Sequence, residues 1–273
     1  MSSDSALYIA DTLRSVDRER YLTCLLAPAA VRHDLMLLYA VNAEWARIRG
    51  QVTEALIGRM KFQWWRDVID GIYREGRAPL GNPLTEGLRA LIPRHELTRS
   101  SLESIIDARD QELAPDDDHP AAPSLAQLEA YAENTSGNLT CLALEILGVR
   151  SELAMRIGRD VGAAYALIGV VRGIAFERGQ GGWPLSTESP ASSQDLVAMS
   201  RGLIERATLR LAGARKISAE IGRRAVPALL TAAFVDQYLL RLEACGGDPL
   251  HPKCSTTRIS VAGLVWRWLR GRY

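Results

Sequence analysis

The chain has 273 residues, 47% of them apolar, and its 33 Lys and Arg nearly cancel its 32 Asp and Glu, for a formal net charge of +1. Such apolar content excludes a disordered chain, and the charge balance excludes a global field that would draw in nucleic acid. Cys24, Cys141, Cys245 and Cys254 form no C-x-x-C pair and have no His at zinc spacing, which argues against a metal–thiolate finger and for a reducing compartment.

The N-terminus, MSSDSALYIADTLRSVDRER, lacks the apolar core of a secretory signal. No apolar run nears the ~20 residues of a membrane span. The expectation is a cytoplasmic protein, with membrane association left open. Apolar residues recur with a period of 3.6 and rarely alternate, so the chain reads as all-α, a single domain over 1–273.

The spacing predicts a short polar helix over 5–20 and an apolar one over 29–50, with Leu35, Leu38, Val41 and Trp45 on one face. A helix over 54–75 follows, with Phe62, Trp65, Ile69 and Ile72 spaced for burial. Asn82 caps the next helix, with Pro83 at its first position and Pro93 as its end. Thr98 caps another, over 99–113. Ser124 starts a helix running to about 147, interrupted by the small and polar TSGNL and closed by Gly148.

Ser151 and Glu152 open the stretch on which the chain is organised. Over 160–185 it is apolar along one side, dense in small residues, and stopped by the Gly-rich GQGGWP. Small residues let a second helix or a ligand approach the backbone closely. Arg172 and Glu177 fall five apart near its end, and a functional Arg172 or a structural Arg172–Glu177 pair fits equally well. A long helix over 193–222 follows, Pro227 opens another to about 244, and 258–270 forms a short basic helix. Asp67 with Asp70, and Asp107 with Asp110 and Glu112, read as solvated helix faces rather than metal sites. Trp64 and Trp65 read as packing.

Four blocks, LYAVNAEWARIRGQ, RMKFQWWRD, YAENTSGNL and GAAYALIGVVRGIAFERGQGGWP, occur in the order found in the squalene/phytoene synthase family, which the chain resembles over nearly its whole length. The resemblance implies an all-α isoprenoid synthase bundle around a central cavity. It also exposes departures. Where the family reads Y-A-x-x-R-x-x-D-D-x-x-D, Tyr39 and Ala40 match, but Ala43 replaces the arginine, and Ala46, Arg47 and Gly50 replace the aspartates. In the family's second motif, Gly169 and Gly173 replace Asn and Asp, Arg172 is kept, and Glu177 stands for the last acid.

The family uses carboxylates on facing helices to hold Mg²⁺ against a leaving diphosphate. Mg²⁺ demands oxygen ligands in near-octahedral geometry, and losing one charge-stabilising group commonly costs about 10²–10³ in rate. The resemblance with these losses implies no catalytic residues, no metal ligands and no cofactor. Tyr39, Arg47, Gln63, Arg172 and Glu177 remain as candidate ligand-binding residues. The RMKFQWWRD block without the aspartates further resembles a non-catalytic branch, the respiratory complex I assembly factor 6 type, whose members share R-x-Q-W-W. That likeness implies complex I subunits as partners, with an isoprenoid as a cavity ligand. Two alternatives stay open: an active Mg²⁺-dependent prenyltransferase, and a membrane-peripheral lipid-binding module. The segment 258–273, with Val261, Leu264, Val265, Trp268 and Leu269 on one side and Arg267, Arg270 and Arg272 nearby, fits either a cap on the bundle or a helix on an anionic membrane.

Overall fold

The computed structural model describes residues 3–113, 123–176, 193–217, 221–255 and 260–273. Among these lie fourteen α-helices and no strand. The expected first helix is two, α1 (Ser3–Val16) and α2 (Arg18–Leu25). Asp17 divides them, because its carboxylate accepts the Arg20 backbone N–H at 3.0 Å and starts a new helix. In α3 (Ala29–Gln51) and α4 (Ala55–Glu75), all eight apolar residues predicted to face inward are buried. Trp65 meets Trp45 edge-on at 5.7 Å, whereas Trp64 packs on Trp65 but is 40% exposed.

Asn82 caps α5 (Pro83–His95) by accepting the Leu84 N–H at 2.9 Å. The helix does not stop at Pro93 but runs on to His95. The proline forfeits one backbone bond in the last turn, a smaller loss than in mid-helix. Thr98 precedes α6 (Arg99–Asp110) without capping it. Its N–H and hydroxyl instead both donate to the buried Glu145 carboxylate, at 2.9 and 2.5 Å. Ser124 and Gln127 form a reciprocal capping box on α7 (Leu125–Ala132). The chain then passes through a π-helical turn, Glu133–Gly137, into α8 (Asn138–Ile146). This turn overlaps TSGNL. Thr135 and Thr140 donate their hydroxyls back to the carbonyls of Tyr131 and Ser136, which loosens the regular ladder there.

The central element is α9 (Glu152–Phe176). It packs against the π-turn, α7, α8, α10 (Ser193–Lys216), α11 (Val226–Leu229), α12 (Ala232–Ala244) and α13 (Pro252–Ser255). Its small residues make this possible. A Cβ on Gly158 would stand 2.6 Å from a Leu144 methyl, and one on Gly162 would run into the Ser136 carbonyl. The helix expected over 193–222 ends at Lys216, and the one expected from Pro227 is bent by 50° between α11 and α12. Finally, α14 (Val261–Leu269) inserts Leu264 into a small apolar cluster of Val226, Leu230, Ala233 and Phe234. No single helix among the described residues is long and apolar enough to cross a membrane.

Candidate functional site

One polar point of the interior is built around Arg20. This residue comes from α2, is 8% exposed, and lies between the rings of Tyr39 from α3 and Tyr165 from α9, at 5.6 and 4.8 Å from their centroids. Its guanidinium donates to Asp17 at 2.9 Å and to the Ser136 hydroxyl on the π-turn. Burial opposes the charge, but Asp17 and the two tyrosines outweigh it, so the Arg20 pKa stands above its usual value. Burial also pushes the Tyr39 and Tyr165 hydroxyls well up, so both remain protonated donors. Next to Arg20, the buried Glu19 accepts from the Tyr165 hydroxyl at 2.6 Å and from Arg172 of α9 at 3.1 Å.

A second buried group stands on α6 and α7. Arg109 donates to Glu112 at 2.7 Å and to the Tyr131 hydroxyl, which itself donates to Glu112 at 2.6 Å. Three arginines of these two groups are each paired with a carboxylate: Arg20 with Asp17, Arg172 with Glu19, Arg109 with Glu112. Such a set is electrically closed. A buried charge is tolerated where it is paired and hydrogen-bonded, and here the pairing is done within the protein.

Of the residues singled out from sequence, Tyr39 and Arg172 are brought into this cluster. Arg172 finds its partner in Glu19, a residue far away in sequence. Glu177 lies outside the described residues. Arg47 is exposed on the last part of α3, and Gln63 is exposed on α4, where it donates to Asp67 at 2.9 Å. Sequence reasoning missed Glu19, Arg20 and Tyr165. The available signal was a run of four charges, DRER, followed at once by Tyr21 and Leu22.

The positions where the family resemblance places metal-holding acids are spread over α3 and α9. Ala46 is half-buried, and Arg47 and Gly50 are exposed. On α9, a Cβ added to Gly169 or Gly173 would meet no heavy atom within 4 Å. Acids elsewhere are already engaged. Asp107 and Asp110 both accept from Arg66 at 2.8 Å, beside an open cleft of about 570 Å³ lined also by Arg59, Gln111 and Leu113. Asp70 accepts from Arg74 and Arg99. Asp160, Glu129 and Glu133 converge on Arg210. Burial raises the Asp160 pKa, whereas at Glu129 the hydrogen bonds from Arg210 and Arg206 outweigh burial and lower it. Among the described residues no three His, Cys, Asp or Glu side chains are placed to hold one metal ion.

The helical bundle matches solved structures of a dehydrosqualene synthase and a squalene synthase. A dehydrosqualene synthase in complex with ligand superposes with a TM-score of 0.75 at 14% identity, covering 98% of this chain and 95% of the other. The squalene synthase HpnC from Alicyclobacillus acidocaldarius gives 0.74 at 14% identity, covering 90% of this chain and 95% of the other. These likenesses show the isoprenoid synthase fold. The squalene/phytoene synthase family model matches residues 13–261, and the chain belongs to that family. Its curated relatives include NADH dehydrogenase (ubiquinone) complex I, assembly factor 6, from Rattus norvegicus, 30% identical over 99% of this chain and 84% of the relative. The proteins of the same name from Bos taurus and Homo sapiens are 30% and 29% identical, over 100% and 90% of this chain and 84% and 76% of theirs.

Proposed function

We propose that this protein is a non-catalytic member of its family that acts in the assembly of respiratory complex I. The observation that carries the reading is that the arginines around Arg20 and Arg109 are paired with the protein's own acids. Ionising an allylic diphosphate needs a cluster of metal-binding carboxylates, or at least cations with charge to spare. Here Gly169 and Gly173 stand where the resemblance expects Asn and Asp, and Arg20, Arg109 and Arg172 are each paired with a protein acid. The full-length likeness to proteins named complex I assembly factor 6 supplies the process. In this reading magnesium has no role. The open space over the glycine face of α9 suits an apolar isoprenoid chain rather than a diphosphate. Partner subunits contact the outside of the bundle, and α14 rests on the membrane in which they assemble.

Two measurements test this. Purified protein incubated with C15 and C20 prenyl diphosphates and Mg²⁺ gives no fused hydrocarbon; turnover would refute the loss of catalysis. Deleting the gene lowers NADH:quinone oxidoreductase activity in membranes, and the wild-type gene restores it. Unchanged activity on deletion would refute the assembly role.

A further inference from the structure

Cys245 and Cys254 are well separated in sequence, and neither has a partner at a spacing that suggests a pair. The fold brings them together. Cys245 is the residue that ends α12, and its N–H donates to the Arg241 carbonyl at 2.9 Å. The Cys254 thiol approaches that same carbonyl at 3.9 Å and the Asp248 carbonyl at 3.7 Å. The connecting loop folds back tightly. Gly246 and Gly247 both take positive φ, at 72° and 77°, conformations that side chains resist. The Gly247 N–H then closes on the Leu242 carbonyl at 2.8 Å. Beyond it Asp248 accepts from Leu250, and α13 carries Cys254 back against the end of α12.

The two residues meet at the Arg241 carbonyl, Cys245 through its N–H and Cys254 through its thiol, and they are unequally placed. Cys254 is 1% exposed, whereas Cys245 is half-buried. Burial and the Cys245 contact push the Cys254 thiol up to about 11, so it is a poor attacking group on its own. The neighbouring Asp248 and His251 do not complete a metal site with them, since no three such side chains converge among the described residues. The other cysteines are engaged elsewhere: Cys141 donates to the Met155 carbonyl at 3.4 Å, and Cys24 is buried on α2.

We propose that Cys245 and Cys254 form a reversible dithiol–disulfide site, with Cys245 as the attacking thiol and Cys254 as the resolving one. The oxidant is a small disulfide such as glutathione disulfide. The Cys245 thiolate attacks one of its sulfurs, forming a mixed disulfide and releasing one glutathione thiolate, which takes up a proton. Cys254 then loses its proton and attacks the Cys245 sulfur, releasing the second glutathione. Two electrons and two protons pass from the protein to the oxidant, and a protein disulfide replaces two thiols. The bond ties the end of α12 to α13, which packs on α9, the helix that carries Arg172.

The test uses the full chain, equilibrated in glutathione disulfide, quenched with an alkylating agent and mapped by mass spectrometry. The reduced protein has four alkylatable cysteines. After oxidation two remain, Cys24 and Cys141, and one cross-linked peptide pair joins Cys245 to Cys254. In Cys254→Ser the reaction stalls as a stable glutathione adduct on Cys245. In Cys245→Ser the buried Cys254 gains no adduct. Wild-type protein that keeps four alkylatable thiols, or that accumulates the adduct without the internal cross-link, overturns the proposal, and this wild-type result stands even if a variant fails to fold.

Discussion

Arg20 and Arg172 both hold carboxylates in the same cluster, yet the physics ranks them differently. The Arg20 side chain is 10% exposed and makes contacts with Asp17, Ser136 and two aromatic rings. Removing it leaves Asp17 and the π-turn hydroxyl facing an apolar gap. Breaking a buried pair in this way costs about 3–5 kcal/mol. Arg172 is 25% exposed, and Glu19 would keep its bond from Tyr165 without it. Its loss costs about 1 kcal/mol, the range of partly solvated pairs. Urea denaturation of Arg20→Met and Arg172→Met checks the order, and a larger drop for Arg172→Met would refute it. The sequence made Arg172 visible because a lone charge in an apolar helix stands out. Arg20 was hidden because it stands at the end of a stretch that reads as a short polar helix. Its burial is decided by a serine more than a hundred residues away, and no local pattern carries that information.

At the scale of the helix, α9 is where sequence and packing agree best, because small residues on one face have a direct geometric meaning. Its glycines are nevertheless of two kinds. Gly162 lets the backbone of α9 touch the π-turn: a Cβ there would meet the Ser136 carbonyl and stand 2.6 Å from the Thr140 hydroxyl. Backbone cannot yield as a flexible side-chain tip does, so Gly162→Ala should destabilise by about 2 kcal/mol. Gly169 touches nothing within 4 Å, and in a helix Gly is weaker than Ala by about 1 kcal/mol. Gly169→Ala should therefore raise the thermal midpoint while Gly162→Ala lowers it. If both alanines lower it alike, Gly169 is tightly packed and the open face does not exist. The other boundaries followed capping chemistry where the cap was local, as at Asn82 and Ser124. They failed where a side chain was recruited elsewhere, as at Thr98, or where a lost bond was tolerable, as at Pro93.

For the molecule as a whole, the all-α bundle was legible from periodicity, and the family blocks supplied its arrangement. The surface was less legible, because exposure depends on which neighbour happens to cover an apolar face. The C-terminal helix shows this. Only Leu264 of α14 is buried, and Val261, Trp266, Trp268 and Leu269 stay 37–58% exposed. Arg270 lies over the Trp266 ring at 4.5 Å, and Arg267 is held by Asp236 at 2.8 Å. From 249 to 273 the sequence has five Lys or Arg and no acid. A helix serving only as a cap would bury more than one large side chain. Exposed tryptophans beside arginines suit the headgroup region of an anionic bilayer, where rings insert and cations meet phosphates. Purified protein should therefore co-sediment with phosphatidylglycerol-containing vesicles, less with phosphatidylcholine alone, and less as salt rises. Burying a large apolar side chain stabilises by about 1.5–3 kcal/mol, so Trp266→Ala with Trp268→Ala should weaken vesicle binding by about tenfold or more. Both changes fall on exposed rings, so the thermal midpoint should move little. A double variant that folds and still binds anionic vesicles as tightly as wild type would leave α14 as a cap and place any membrane contact on another face.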